Sequence, residues 1–136
     1  EMAMLISEAF KKFKATQKNV QWSVSAFNEK DELVLSLWHQ FFQPTKVNGQ
    51  RAIKYVDRVS RWSGNGNSEF RENLDLATKD NVTVRAIIAR TNSPEAIARG
   101  EDASKYKNTF TPKTDWVGSI TKWDSDNFEI VFSKEA

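Results

Sequence analysis

The chain has 136 residues, 39% hydrophobic and 28% charged, with 20 Lys and Arg against 18 Asp and Glu. That size and composition exclude disorder and suit one domain with a core that needs neither metals nor disulfides. The net charge of +2 excludes the strong basic excess of a non-specific nucleic-acid binder, so any anion-binding surface requires the fold to gather its cations.

The first element reads as a helix over residues 3–15, where Leu5, Ile6, Ala9, Phe10 and Phe13 form one apolar stripe. Lys11, Lys12, Lys14 and Lys18 follow at its C-terminal end, where the helix dipole favours positive charge. Residues 20–27 alternate Val20, Trp22, Val24 and Ala26 with polar positions, the pattern of a half-buried strand. After a polar turn at residues 28–31, Leu33, Leu35 and Leu37 alternate again in a strand reaching about Phe41. The two strands form a hairpin that Pro44 is expected to end, and Asn48-Gly49 marks a further turn.

Residues 51–62 fit either a strand or a helix, and a strand to about Asp57 followed by an irregular stretch is preferred. Ser63–Asn67, with two glycines, reads as a loop. A helix then runs to about Lys79, capped by Asn67 or Ser68, with Phe70, Leu74 and Ala77 inward. The apolar run Val82–Ala89 is the expected central strand. Ser93-Pro94-Glu95 opens a short helix that Gly100 closes. Residues 101–114 read as a mobile loop, and two strands, Trp116–Trp123 and Phe128–Ser133, finish the chain. Hairpins dominate over βαβ units. The expected fold is therefore α+β, one domain over residues 1–136, with a strongly bent mixed or antiparallel sheet, or a small open barrel, and helices packed on it.

Catalytic signatures are missing. The sequence has no cysteine and one histidine, so thiolate sites and histidine metal sets are excluded, and no metal or other cofactor is expected. His39 continues the phase of Leu33, Leu35 and Leu37 and reads as a satisfied, partly buried residue. No Walker loop, GxSxG or HExxH occurs. Residues 1–20 lack a leader-like apolar run and no stretch reaches membrane-spanning length, so a cytoplasmic protein without membrane contact is expected.

The segment Arg51–Trp62 stands out. Arg51, Lys54, Arg58 and Arg61 fall within twelve residues, interleaved with Tyr55 and Trp62. Arginine forks match phosphate oxygens and guanine edges, and aromatic faces stack on exposed bases. On that basis Arg51, Lys54, Arg58 and Arg61 are the candidate phosphate contacts, with Arg58 and Arg61 preferred because strand alternation separates the set. Trp62 or Trp38 would stack on a base, and Asn65 and Asn67 would meet base edges from a loop. The competing account is structural: the arginines pair with Asp57, Glu69 and Glu72.

The runs WSGNGNSEFRENLDLA at 62–77 and VTVRAIIA at 82–89 resemble small DNA-reading domains attached to modification-dependent restriction systems. The closing WVGSITKWDSDNFEIVF at 116–132 resembles the last hairpin of PUA-like or EVE-like barrels. The resemblance covers roughly residues 50–90 and 115–133 and implies a reader of modified or extruded bases with no catalysis of its own. Trp38, Trp62 and Trp116 would then be candidates for the pocket wall. The leading expectation is a non-catalytic nucleic-acid-binding module, for DNA rather than RNA. The second is a protein-interaction domain, for example a phage or plasmid factor acting on a host protein. The third is a small nuclease or hydrolase using Asp57, Glu69 and Glu72.

Overall fold

A computed structural model describes residues 4–135. Among them are three α-helices: α1 (Ile6–Lys12), α2 (Asn65–Asp80) and α3 (Pro94–Ala98). Eight strands join in one mixed sheet: β1 (Ser25–Phe27), β2 (Leu33–Trp38), β3 (Phe42–Val47), β4 (Gln50–Arg58), β5 (Val84–Thr91), β6 (Asn108–Pro112), β7 (Trp116–Trp123) and β8 (Asn127–Lys134). The spatial order is β1-β2-β5-β7-β8-β4-β3, with β6 also paired to β5, and the sheet is not closed. The fold is α+β with a bent sheet, as expected, and β2 with β5 is its parallel pair.

Cross-strand register divides the side chains between two faces. On the inner face lie Leu33, Leu35 and Leu37 of β2, Val84, Ala86 and Ile88 of β5, Tyr55 of β4, and Phe128, Ile130 and Phe132 of β8. Helix α2 adds Phe70, Leu74 and Ala77 to the same buried cluster. The second face carries Val34 and Ile87, covered by Ala9, Phe10 and Phe13 of the α1 segment. The sheet curls strongly around its inner face. The Phe42 ring of edge strand β3 reaches within 5.8 Å of the Trp116 ring on β7, although β4 and β8 separate their strands.

Several elements depart from the sequence reading. Helix α1 covers only Ile6–Lys12, and the expected start at residue 3 lies outside the described residues. The first hairpin strand shortens to Ser25–Phe27, leaving Val20 67% exposed. Asn19 and Ser23 explain this, since the Ser23 oxygens accept from Asn19 N and Gln17 Nε2 and hold residues 17–23 in a turn. Pro44 does not end a strand. It lies within β3, at the sheet edge, where a missing N–H donor is tolerated. His39 is exposed, because a 3₁₀ turn over His39–Phe41 breaks the alternation of β2. The loop expected at residues 101–114 contains β6, paired to β5 from Ile87–Pro112 to Thr91–Asn108. Asn48-Gly49 forms the tight β3–β4 turn, both residues with positive φ.

Candidate nucleic-acid interface

Strand β4 carries most of the predicted cations, and its register sorts them. Lys54 pairs with Val131 and Arg58 with Asn127, which places both on the outer face. Arg51 has the opposite parity and shares the inner face with Ile53 and Tyr55. The expected split between Lys54 with Arg58 and Arg51 is therefore present in the sheet. Lys54 is half-buried, whereas Arg51 is exposed.

Beyond β4 the chain turns through a 3₁₀ segment, Val59–Arg61, and Arg61 folds back onto the sheet. Its Nε and Nη2 donate to the Asp57 carboxylate at 2.9 and 2.8 Å, and Nη1 donates to the Ile97 carbonyl at 2.7 Å. The guanidinium also lies 4.9 Å from the Phe41 ring centre. With 14% of the Arg61 side chain exposed and 7% of Asp57, this is a largely buried, bidentate ion pair. The Tyr55 hydroxyl completes the network, 3.4 Å from Asp57 and accepting from the Trp38 N–H at 3.2 Å. Burial, with the Asp57 charge beside it, holds the Tyr55 phenol well above its ordinary value, so it stays protonated. Arg61 thus ties β4 to α3, with all three of its nitrogens engaged in the fold. The structural account of Asp57 holds for this residue.

Arg58 differs. Its side chain is 64% exposed, and Nε and Nη2 donate to Asp126 at 3.2 and 3.0 Å. Ser60 N–H donates to the other Asp126 oxygen at 3.1 Å. Hydrogen bonding from Ser60, and then Arg58, holds the Asp126 carboxyl below its ordinary value. Arg58 is therefore an exposed guanidinium fixed in place, with Nη1 unspent in these bonds. It borders an open depression of about 650 Å³ lined by Phe41, Val56, Asp57, Arg58, Ser60, Arg61, Ala98 and Asn127.

The remaining predicted contacts do not converge there. Trp62 is half-buried, edge-on to Phe70 at 5.7 Å, and belongs to the margin of the core. Trp38 lies on the α1 side of the sheet, opposite Ala89, and Trp116 is buried at 8% exposure on the inner face. The three tryptophans form no common wall. The expected loop Ser63–Asn67 is instead a helix start, because Gly64, at φ 114°, turns the chain into α2 from Asn65. Asn65 is exposed, but Asn67 is buried at 4%, its amide donating to the Val59 carbonyl and its oxygen accepting from Arg71. Asp57, Glu69 and Glu72 form no acid cluster able to hold a metal among the described residues.

One arrangement is visible only in the fold. Lys46 of β3 stands directly opposite Arg51 of β4, and the β4–β8 register continues from Ile53–Phe132 to set Lys134 beside Arg51. Lys134 in turn pairs with Trp116, whose ring lies 5.2 Å from the Lys113 ammonium. These cations are spread over more than eighty residues of sequence, and only pairing brings them into one row. Comparisons of the chain with models of known protein families and with curated proteins, and of its fold with solved structures, return no match.

Proposed function

We propose that this chain is a non-catalytic nucleic-acid-binding module that contacts a base of DNA, a modified or extruded one included, at the depression beside Arg58. The supporting observation is its electrical balance: Arg58 is matched by Asp126 and Arg61 by Asp57, around the half-buried Phe41. A balanced, hydrogen-bonding hollow with one aromatic ring suits an uncharged polar ring better than a phosphate. Its volume of about 650 Å³ falls in the range of small-molecule sites. Arg58 and Asn127 supply hydrogen-bonding groups at the rim, and Asp57 and Arg61 hold its floor rigid. Arg58 is retained from the sequence set as a contact, while Arg61, Trp62 and Asn67 become structural supports.

The test is fluorescence anisotropy with single-stranded, duplex and modified-base oligonucleotides. Arg58→Ala and Asn127→Ala should each flatten the preference among them by roughly 1–3 kcal/mol, the scale of one base-reading contact. Equal preference in wild type and both variants would refute a base contact at this depression.

A further inference from the structure

The row Lys46–Arg51–Lys134 crosses β3, β4 and β8 on the inner face. Neighbouring strands lie about 4.8 Å apart, so three cations occupy roughly 10 Å in a line perpendicular to the strands. All three residues are exposed. No side-chain hydrogen bond or ion pair engages any of them among the described residues, in contrast to Arg58, Arg61, Arg85 and Arg99, each of which has a carboxylate. The adjacent acids, Asp115 and Glu135, form no ion pair with the row. Like charges directly opposite across a strand pair destabilise a sheet. The fold gains nothing from Lys46 facing Arg51, and a third cation on the next strand adds to the repulsion.

We infer that Lys46, Arg51 and Lys134 form a binding row for closely spaced phosphates, those of a nucleic-acid backbone. The shape of the surface selects this polyanion over a membrane. The row lies on the concave side of a curled sheet, the side on which Phe42 and Trp116 meet across two intervening strands. A flat bilayer surface cannot follow that curvature, whereas a phosphate chain can pass along a line of three long, flexible cations. The identity of the polyanion rests on the proposed function; the row itself rests on the unneutralised charges. It is separate from the depression, because Arg51 and Arg58 are seven residues apart on an extended strand, roughly 23 Å.

The experiment compares wild type with Lys46→Gln/Arg51→Gln, using a labelled DNA duplex at 50–200 mM salt. Three phosphate contacts give a slope near −2.7 in log affinity against log salt, at about −0.9 per contact. Wild-type binding should then fall roughly 40-fold over that range, and that of the double variant only about 3–4-fold. Arg51→Lys should keep the wild-type slope. Lys11→Gln/Lys12→Gln on α1 is the control and should also keep it. Without DNA at low salt, the double variant should melt no lower than wild type, since a repulsion has been removed; a lower melting temperature would make the row structural and overturn the inference. An unchanged salt slope in the double variant would overturn it as well, and so would row-dependent binding to phosphatidylserine vesicles without binding to DNA. The two proposals fail separately. A row-dependent slope with no effect of Arg58→Ala on base preference removes the depression and keeps the row, while the reverse pattern removes the row and keeps the depression.

Discussion

Removing the Arg61 side chain tests whether this residue is a strut or a ligand contact. Arg61→Ala deletes two bonds to Asp57, one to the Ile97 carbonyl and the contact with Phe41. It leaves Asp57, 7% exposed, without its counter-charge. The remaining donors to that carboxylate are the Tyr55 hydroxyl and the Arg58 N–H. Breaking a buried ion pair on one side costs about 3–5 kcal/mol, because the surviving charge stays desolvated. With a urea slope near 2 kcal/mol per molar, the unfolding midpoint should fall by roughly 1.5–2.5 M. Asp57→Ala should cost a comparable amount, and the double variant clearly less than the sum of the singles. Chemical denaturation of the four proteins, read by tryptophan fluorescence, measures the cycle. A loss below about 1 kcal/mol for Arg61→Ala, together with a reduced salt slope for DNA binding, would show that Arg61 serves a ligand and that the strut assignment is wrong.

Other perturbations address the core and the surface. Leu35→Ala, at a fully buried position, should cost about 2–5 kcal/mol in the same assay, and a loss under about 1 kcal/mol would contradict the β1–β2 register. Gly118→Ala places a methyl group against the Phe132 ring, and overpacking of this kind should cost about 1–3 kcal/mol; a neutral result would mean that β7 and β8 are less closely apposed. The lowered carboxyl of Asp126 sets the sign of a pH effect. A group depressed in the folded state stabilises above its unfolded value, about 3.9, and loses that contribution as pH falls through the folded value. Asp126→Asn should therefore lower the melting temperature at pH 7 and converge with wild type as the pH drops below about 4; a gap that persists in acid would exclude the Asp126 charge as its source.

What was legible in the sequence was whatever local chemistry dictates. Asn48-Gly49 specified its turn, the strands read at Trp116–Trp123 and Phe128–Ser133 form the last hairpin, and the stripe Phe70, Leu74, Ala77 specified the inner face of α2. Val84–Thr91 lies inside the sheet between β2 and β7, where the apolar run Val82–Ala89 was expected to place a central strand. Elsewhere tertiary pairing overrides composition. β6 is polar because it is half-exposed, and only its registry with β5 makes it a strand. β3 tolerates Pro44 because its outer edge is free. The cation cluster at 51–61 was visible, but its chemistry was not. Sequence distance gives no means of telling that Arg61 turns back onto Asp57, that Arg58 reaches Asp126, or that Lys46 and Lys134 flank Arg51.

Nucleic-acid binding by this fold is measured most simply on the wild-type protein. Anisotropy of labelled single-stranded, duplex and modified-base DNA, titrated with protein at low salt and repeated as salt is raised, gives the affinity and its salt slope together. The proposed function predicts saturable binding to at least one of these, weakening steeply with salt because unpaired lysine and arginine side chains meet phosphates. Absence of binding to all of them at low salt would contradict it, and the aromatic and arginine-bearing surface would then be read as a protein interface.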